Sequence, residues 1–426
     1  MFHGLIDCNN FFVSCERLFN PGLNGKPVVV LSNNDGCAIS RSNEAKALGI
    51  PMGCPAFKIK EYVAHPEDVV VISGNHTFYN DISQRIMYAL GREAESIQVY
   101  SVDEAFFQIG CSDPDEASRE CSELARRIGH DIGIPVSIGI ARTKTLAKIA
   151  SHIAKKEKTY SGNTHILIDP AEIDRTLRAT PIEDVWGIGR RLTESLHKFS
   201  VFTAHQFAAL PDTLILHQYN TTTLRVKREI LGESCAEISS IDRAKQSITT
   251  SRSFGSIVYE KRQIADAVVN FASHCCTLLR QQNSMAGSVE VHIRGDHNKP
   301  NLPYYSNSCL LRLPFPTSDT IEIVNHALIA LDNIFREGFP YKKASVMLGG
   351  ISSATQRQLN LFRTLDEAKS KKLMETIDSI NARDGSGTVA LAAAAGSRQW
   401  TPRKEHQPKR SSVLRIYSGM LLPGDD

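Results

Sequence analysis

Three acidic side chains, at two distant places in the sequence, have the chemistry of a metal-binding site. Asp103 and Glu104 are adjacent in the stretch QVYSVDEAFFQIG, between two short apolar runs typical of strands, and Asp7 ends the apolar run MFHGLIDC. Neighbouring side chains in a regular strand face opposite sides, but at a turn both acids can face one point. Clustered carboxylates repel one another and are costly to desolvate unless cations neutralise them. We therefore interpret the three acids as one site for divalent cations.

Mg²⁺ is the cation that this ligand set favours, because it binds hard oxygen ligands and keeps open positions for substrate phosphates. Two such ions, about 3.5–4 Å apart, can stabilise the attacking and the leaving oxygen of a phosphoryl transfer. A single acid at a strand end often caps a turn or a helix, so Asp7 alone leaves both interpretations open. The adjacent pair at 103 and 104 is what favours the metal site.

Three lysines lie on one face of the helix predicted over residues 143–156. Lys144, Lys148 and Lys155 are four and seven residues apart, a spacing that places them on a common helical face. A lysine stripe opposite an apolar stripe is commonly just a solvated surface, but phosphate oxygens also need cationic donors. The position of this helix, directly after a predicted strand, favours the phosphate-binding interpretation.

The stretch VWGIGRRL has the G-x-G pattern of a helix–hairpin–helix. Gly187 and Gly189 let the backbone turn tightly and present N–H groups to a phosphate at the start of a helix, beside Arg190. A lone GIG more commonly marks a simple turn. Its place after a sheet domain favours an element that grips duplex DNA without reading its sequence.

Composition limits the class of protein. A chain of 426 residues exceeds one core and predicts two to four domains, and 42% hydrophobic with 22% charged residues is typical of a globular protein. No apolar run approaches the roughly 18–20 residues of a membrane span, and the first residues do not resemble a signal peptide. The ten cysteines are scattered without CxxC pairs. We expect buried thiols in a reducing cytoplasm.

The pattern of apolar runs and amphipathic stretches predicts a mixed sheet backed by helices over residues 1–165. Residues 171–233 are expected to form short helices only. The polar stretch IDRAKQSITTSRSF is interpreted as a tether, followed by a separate α+β domain to about Ser352. The remaining residues are polar or low in complexity, and we expect much of this part to be flexible.

Several motifs together resemble the Y-family translesion DNA polymerases, in order and in spacing: DCNNFFVSCE, SNNDGCAISRSNEAKALGIPMG, YSVDEAFF, VSIGIARTKTLAKIASHIAKK and VWGIGRRL. Within that family the chain is similar to the UmuC branch, the catalytic subunit of bacterial DNA polymerase V and its mobile-element relatives, which SRSFGS and QLNLF also match. The resemblance covers nearly the whole chain.

The resemblance implies an α+β multidomain fold of the right-hand polymerase type. The implied domains are a palm (1–24 and 75–168), fingers (25–74), a thumb with the helix–hairpin–helix (169–238), an α+β little finger (239–352) and a C-terminal tail (353–426). By the same resemblance Asp7, Asp103 and Glu104 are the catalytic acids. They bind two Mg²⁺ ions with the backbone carbonyl of Cys8, and Glu104 lies nearest the metal at the primer 3′-hydroxyl.

The resemblance also implies how the nucleotide is bound. Phe12 is expected to be the steric gate, because a flat, rigid ring beneath the sugar leaves no room for a 2′-hydroxyl, whereas Phe11 packs beside it. The triphosphate-binding positions fall on Ser40, Lys46 and Lys155. A lysine at 46, where many relatives have arginine, supplies a point charge rather than a bidentate fork.

Contacts to primer–template DNA are implied for Gly187, Gly189 and Arg190 in the thumb and for Arg252 in the little finger, and these contacts should be salt-sensitive. A motif for the sliding clamp is implied at Gln358, Leu359, Asn360, Leu361 and Phe362. The tail around Trp400–Ser412 resembles a region through which this branch meets its accessory subunit. The implied partners are therefore the clamp, a UmuD-type dimer and the activator RecA.

The function favoured is an error-prone, template-directed DNA polymerase of translesion synthesis and SOS mutagenesis, adding deoxynucleotides without proofreading. One alternative is a nucleotidyl cyclase, whose palm also carries metal-binding acids, but the GIG element and a third, basic domain would have no use there. A second is a DNA-binding regulatory subunit with an idle palm. The presence of all three carboxylates argues against it.

Overall fold

Two compact units make up the chain. A computed structural model describes residues 2–63, 65, 68–156, 163–238, 244–355, 367–385, 387–394, 400–401 and 403–407. The first unit comprises Met1–Ser32, Cys37–Asp242 and His406–Asp426, and the second comprises Asn33–Gly36 and Arg243–Glu405. In the described part of the chain, no helix has the length and apolar character needed to cross a membrane. All ten cysteines are unpaired thiols, most of them buried.

Strands of the first unit form two sheets. The strands are β1 (Phe2–Cys8), β2 (Val28–Leu31), β3 (Ala38–Arg41), β4 (Val70–Ser73), β5 (Ser96–Val99), β6 (Glu104–Ile109), β7 (Val136–Ala141) and β8 (Asn163–Leu167). The larger sheet has the order β5-β6-β1-β7-β8 and the smaller one the order β3-β2-β4. Strand β1 is central, antiparallel to both β6 and β7, and almost entirely buried. It is apolar because both faces of the sheet are covered.

Helices of the first unit cover the larger sheet and continue beyond it. They are α1 (Phe11–Phe19), α2 (Asn43–Ala47), α3 (His76–Gly91), α4 (Pro114–Asp131), α5 (Lys144–Lys156), α6 (Pro170–Ala179), α7 (Arg190–His197), α8 (Ala204–Ala208), α9 (Asp212–Gln218) and α10 (Thr221–Ile230). Asp113 and Asp169 cap α4 and α6, and a proline follows each as the first helical residue.

Two cores lie on opposite faces of the larger sheet. Alternate residues of β1 divide between them: Ile6 packs with α1, α3 and α4, whereas Leu5 packs with α5 and the helices α6–α10. On β6, Phe106 belongs to the same core as Leu5. Helix α5 therefore lies on the face of the sheet towards which Leu5 and Phe106 point, and the register extends that face to Asp7 and Glu104.

The second unit is an antiparallel sheet with helices against one face. Its strands are β9 (Ile248–Val258), β10 (Ser284–Arg294), β11 (Ser306–Thr317), β12 (Tyr341–Gly349) and the short β13 (Ser352–Ser353), and its helices are α11 (Lys261–Gln281), α12 (Thr320–Ile334) and α13 (Glu367–Asp384). The sheet order is β11-β10-β12-β9, and β13 pairs with β10. One buried core joins the inner face of this sheet to α11 and α12.

The expectation of a flexible polar tail was wrong for residues 367–385. These residues form α13, which packs against α11 through Arg280, whose guanidinium makes two hydrogen bonds to Asp378 at 2.6 and 2.8 Å. Met374 of α13 is buried, and Ser370 donates a hydrogen bond to Asp319. A bidentate ion pair and one buried side chain are enough to dock a helix that is otherwise polar.

Trp400, in the stretch expected to meet an accessory subunit, is part of the core of the second unit. It is 8% exposed and contacts the ring of Phe271 edge-on, with the centroids 5.3 Å apart. A Cβ on Gly255 of β9 would lie 2.6 Å from the carbonyl oxygen of Thr401, so only glycine allows this close approach. The side chain of Trp400 therefore packs into the core of the second unit.

Replacing Trp400 by alanine is expected to destabilise the second unit by about 3–5 kcal/mol, because a large buried aromatic is removed from a packed core. Equilibrium unfolding of the full chain in denaturant measures the change. Trp400→Phe, which keeps a ring against Phe271, should cost much less, and alanine at the exposed Tyr304 should cost little. Equal stability of the wild type and Trp400→Ala would show that Trp400 is not a core residue.

Candidate active site

The sheet register brings two of the predicted acids together. Asp7, near the end of β1, lies opposite Glu104, the first residue of β6. Directly opposed side chains of antiparallel strands are close neighbours on one face. Asp7 and Glu104 are in hydrogen-bond contact, and Asp7 is 5% exposed. Residues about a hundred positions apart in the sequence thus form one acidic pair.

Two lysines of α5 neutralise this pair. Lys148 donates a hydrogen bond of 2.9 Å to Glu104, and Lys155 forms an ion pair with Asp7. The third lysine of the predicted stripe, Lys144, is buried and donates a hydrogen bond to Gln98 of β5 at 2.6 Å. The stripe is therefore not a solvated surface. All three ammonium groups face β1 or the hairpin of β5 and β6.

The electrostatics of the pair are unequal. Burial raises the pKa of Asp7 to about 7, although the charge of Lys155 acts in the opposite direction. Burial acts to raise the pKa of Glu104 as well, but hydrogen bonds with Asp7 and Lys148 outweigh it, so that pKa lies below its ordinary value. Burial thus acts against the charge of Asp7, whereas the contacts of Glu104 favour its charged form.

Asp103 is placed differently from the other two acids. It lies in the turn before β6, where its carbonyl accepts a hydrogen bond of 2.9 Å from the N–H of Cys8, so the two segments are in direct backbone contact. Its carboxylate accepts a hydrogen bond of 2.6 Å from the hydroxyl of Ser101. Among the described residues, no group of three or more His, Cys, Asp or Glu side chains is arranged to hold a metal. Convergence of all three acids stays a prediction.

The donor set nevertheless fits a divalent cation. Asp7 and Glu104 offer carboxylate oxygens, which are the ligands that Mg²⁺ prefers. Each carboxylate already contacts a positive charge: Asp7 contacts Lys155, and Glu104 contacts Lys148. A metal ion held by the two acids would supply positive charge to the same oxygens. Asp103 is adjacent to Glu104 in sequence, and its carboxylate is hydrogen-bonded to Ser101.

The two phenylalanines after Cys8 differ in their surroundings. Phe11 is buried in the core, whereas Phe12 is only partly buried. The ring of Phe12 lies flat on the ring of Tyr79, with centroids 4.6 Å apart and planes at 20°, and it meets the imidazole of His76 edge-on at 5.7 Å. Contacts on its face and edge limit how far Phe12 can move.

A second polar cluster lies at the start of α1. Lys46 of α2 donates a hydrogen bond of 2.6 Å to the side chain of Asn10, and the hydroxyl of Ser40 on β3 donates one of 3.3 Å to the carbonyl of Asn10. Burial lowers the pKa of Lys46, as do the charges of Arg41 and Lys155. Ser40, Lys46 and Lys155, expected to share the triphosphate, are thus placed around one region. Asn10, with a left-handed backbone, accepts both of these hydrogen bonds and so joins Ser40 to Lys46.

The GIG stretch forms a tight turn that leads into α7. Gly187 has φ of +94°, and a Cβ there would lie 2.7 Å from Val226, so the position needs glycine. Gly189 is the N-cap of α7, and no side chain caps that terminus among the described residues. Arg190 follows as the first helical residue, and its side chain is highly exposed beside Glu194. Backbone N–H groups at such an end can bind a phosphate.

The sheet of the second unit separates its basic residues by face. Arg252 on β9 lies opposite Ala344 of β12, a fully buried residue of the core shared with the helices. Burial and the charge of Arg252 both lower the pKa of His274 on α11, which places Arg252 at the helix-covered side. On the other face Arg294 of β10 lies directly opposite Lys343 of β12. Lys343 was not identified from the sequence.

Two predicted regions fall partly or wholly outside the described residues. Gln358–Phe362, the expected clamp motif, lies outside them, as do residues 408–412 of the expected partner region.

Comparison with known proteins decides the family. Residues 6–152 match the impB/mucB/samB family, and residues 245–361 match the C-terminal domain of that family. Protein UmuC of Salmonella typhimurium is 39% identical over 425 residues, which covers 97% of this chain and 99% of that protein. The chain belongs to this family. It is a Y-family DNA polymerase of the UmuC branch.

Further relatives agree with the assignment of this Y-family chain. Protein ImpB of Salmonella typhimurium is 36% identical over 407 residues, covering 94% of this chain and 95% of that protein. Among solved structures, a chimera of the Y-family DNA polymerases Dbh and Dpo4 has a TM-score of 0.66 at 19% identity, covering 83% of this chain and all of that one. The fold is therefore that of a Y-family polymerase. Residues 371–411 match a domain of unknown function.

Proposed function

We propose that this Y-family chain is an error-prone, template-directed DNA polymerase of translesion synthesis and SOS mutagenesis. It adds deoxynucleotides to a primer 3′-hydroxyl with the help of two Mg²⁺ ions and without proofreading. The observation that carries the proposal is the contact between Asp7 and Glu104, each of which also pairs with a lysine of α5. A buried acidic pair of this kind is costly unless it serves a cation.

The chain's own groups have separate roles in the reaction. Asp7, Asp103, Glu104 and the carbonyl of Cys8 would hold the two ions, with Glu104 nearest the primer 3′-hydroxyl. The ions, when bound, lower the pKa of that hydroxyl and stabilise the charge that develops on the pyrophosphate. Asp103 leaves Ser101 to join the site.

Three groups are proposed to bind the triphosphate. Lys155 pairs with Asp7, and a cation held by Asp7 would compensate that carboxylate and leave the Lys155 ammonium available to a phosphate oxygen. Ser40 and Lys46 offer a hydroxyl and a second ammonium, and both already hydrogen-bond Asn10. Lys155 would therefore exchange the carboxylate of Asp7 for a phosphate oxygen of the nucleotide.

Selection of deoxynucleotides is assigned to Phe12. Its ring lies against Tyr79 and His76, so it cannot easily retreat from a ribose 2′-hydroxyl. Phe11, which is buried, supports the same turn from within the core.

Two surfaces are proposed to bind DNA. The turn at Gly187 and Gly189 offers N–H groups to a phosphate at the start of α7, beside Arg190. In the second unit the face of the sheet opposite the helices is the better candidate, because Arg294 and Lys343 are adjacent there. Arg252, taken from the resemblance, stays a prediction, but its position on the helix-covered side favours the other two residues.

Alanine at Lys343 or at Arg294 is expected to weaken binding of primer–template DNA and to lower the slope of log Kd against log salt by about 1 each. Fluorescence anisotropy over a range of salt concentrations measures both quantities. Arg252→Ala serves as the matched arginine on the other face. A reduced slope for Arg252→Ala, with unchanged slopes for the other two variants, would contradict the prediction. It would show that DNA binds at Arg252 and not at the face that carries Arg294 and Lys343.

The partners are proposed from the resemblance. Gln358–Phe362 would bind the sliding clamp through a polar anchor and two apolar side chains. The similarity to Protein UmuC suggests a UmuD-type dimer as accessory subunit. RecA is proposed as the activator from the resemblance alone. Trp400 is an unsuitable contact for either, because it is buried.

Primer extension with Mg²⁺ tests the proposal. The wild type should extend a primer across from a template base, and the Asp103→Ala, Glu104→Ala double variant should not. Equal extension by both proteins would reject the polymerase. Formation of a cyclic nucleotide from a free triphosphate would favour the cyclase, and DNA binding with no chemistry, alone and with the accessory partners added, would favour the idle regulator.

A further inference from the structure

A tryptophan beside the GIG turn is hydrogen-bonded to the hairpin that carries the acids. Trp186 immediately precedes Gly187, and its indole N–H donates a hydrogen bond of 3.0 Å to the hydroxyl of Tyr100. The same indole contacts the ring of Phe106 on β6, with centroids 5.2 Å apart. Tyr100 lies just after β5, in the turn that contains Asp103. The proposed DNA-gripping turn and the acidic hairpin are therefore in direct contact.

The contact continues from Tyr100 to an acid. The ammonium of Lys148 lies 4.7 Å from the centre of the Tyr100 ring, and the same ammonium donates its hydrogen bond to Glu104 at 2.9 Å. A cation over an aromatic face is attracted to it and is restricted in position. Trp186, Tyr100, Lys148 and Glu104 thus form a continuous chain of contacts from the GIG turn to the acidic pair.

The packing makes this chain stiff. Tyr100 is held edge-on by both Phe106, at 5.8 Å, and Trp186, at 5.7 Å. Glu104 and Phe106 are two residues apart on β6 and therefore point to the same face of the sheet. A shift of Trp186 is consequently passed to the ring of Tyr100 and then to the ammonium that holds Glu104.

We propose that Trp186 and Tyr100 are positioning residues, which hold Lys148 and through it orient the carboxylate of Glu104 according to the state of the GIG turn. The inference rests on the proposed function, because it assigns DNA to that turn and catalysis to Glu104. Engagement of a DNA phosphate at Gly187 and Gly189 would fix the adjacent Trp186. The thumb would then set the geometry of the acid nearest the primer 3′-hydroxyl.

Two conservative variants remove the same hydrogen bond from its two ends. Trp186→Phe deletes the donor and Tyr100→Phe deletes the acceptor, and both keep an aromatic ring. Each should slow nucleotide insertion at saturating deoxynucleotide by about 3- to 10-fold, with the nucleotide Kd changed less than twofold. The double variant should be no slower than either single variant, because one shared bond is lost only once. Tyr100→Leu, which also removes the ring beneath Lys148, should be slower still.

Rapid-quench measurement of single insertions, with Tyr259→Phe as the control for loss of an exposed tyrosine hydroxyl, measures these quantities. The burst amplitude reports the active fraction, so a variant that folds poorly lowers the amplitude and leaves the rate per active site interpretable. Unchanged rates per active site in all three variants at positions 100 and 186 would overturn the proposal. Strictly additive effects of Trp186→Phe and Tyr100→Phe would also overturn it, since they would then act separately.

A second readout needs no turnover. Trp186 and Trp400 are the two tryptophans of the chain, so Trp400→Phe leaves Trp186 as a single fluorescent reporter. Titration of this protein with Ca²⁺ in the presence of primer–template DNA and a deoxynucleotide should change the Trp186 emission. The change should be at least halved when Tyr100→Phe is added. Identical titrations with and without Tyr100→Phe would contradict the linkage.

The two levels of the inference fail separately. A wild-type protein that does not extend a primer with Mg²⁺ would reject the proposed function itself. An active wild type whose Trp186 and Tyr100 variants insert nucleotides normally would reject only the positioning role.

Discussion

The Asp7→Asn substitution is expected to reduce the rate of primer extension by at least about 10³-fold. This is the largest effect of any single substitution proposed for this chain. Asp7 is the buried partner of Glu104, and its carboxylate contacts Lys155. The amide keeps the size of the side chain but loses the charge that binds a cation, and a loss of about 4 kcal/mol of transition-state stabilisation corresponds to that factor. Steady-state and single-turnover extension with Mg²⁺ measure it.

The matched control for Asp7→Asn is Asp115→Asn, which removes an exposed carboxylate in the first turn of α4. It should extend primers at the wild-type rate. Circular dichroism and equilibrium unfolding should show that Asp7→Asn remains folded, because an amide is easier to bury than a carboxylate. A folded Asp7→Asn protein with more than a tenth of the wild-type rate would contradict the role of Asp7.

Phe12→Ala is expected to raise the use of ribonucleotides relative to deoxynucleotides on the order of 10²-fold, by opening space for the 2′-hydroxyl. The ring is held in place by Tyr79 at 4.6 Å, so its exclusion of the hydroxyl depends on the ring itself. The ratio of kcat/KM values for the two nucleotides, measured with one primer–template, gives the selectivity.

Phe12→Tyr keeps the ring and should keep the selectivity, which separates loss of the gate from general damage to the turn. Phe11 is an unsuitable control, because its side chain is buried and its loss would disturb the core. Unchanged sugar selectivity in an active Phe12→Ala protein would remove the assignment of Phe12 as the gate.

Much of the acidic site could be predicted from the sequence because it follows from short-range patterns. The apolar run at the N-terminus and the two runs around Asp103 and Glu104 are strands, and antiparallel pairing sets Asp7 opposite Glu104. The successive spacings of four and seven residues from Lys144 placed Lys148 and Lys155 on one face of α5. Which charge each lysine meets depends on the register of strands distant in sequence, and that could not be read from the helix alone.

The second unit was predicted less well, for physical reasons that its elements show. The stretch interpreted as a polar tether, residues 241–254, contains the first seven residues of β9, an edge strand in which only Ile248, Thr250, Phe254 and Val258 are buried. Half-exposed edge strands rich in serine and threonine resemble loops in composition. Helix α13 is mostly polar, and its docking depends on Met374 and on a contact with Arg280, nearly a hundred residues away. Such tertiary contacts leave no local pattern.

The sequence also did not show which face of the sheet each basic residue of the second unit lies on. Arg252 was assigned to DNA from a motif, but a single motif does not tell which face a residue of a strand points to. The register against Ala344 and the pairing of Arg294 with Lys343 distinguish the faces. The contacts of Asn10 with Ser40 and Lys46 could not be predicted either, because they join segments some thirty residues apart.

The central claim is that Asp7 and Glu104 hold a divalent cation. Lys155 pairs with Asp7 when no cation is bound there. The most direct measurement is an experimental structure of the full chain with primer–template DNA, a non-hydrolysable deoxynucleotide and Mg²⁺. The account predicts metal–oxygen distances of about 2.1 Å to Asp7, Asp103 and Glu104, with the Lys155 ammonium on the triphosphate. A bound nucleotide with Lys155 still paired to Asp7, and no ion between the acids, would contradict it.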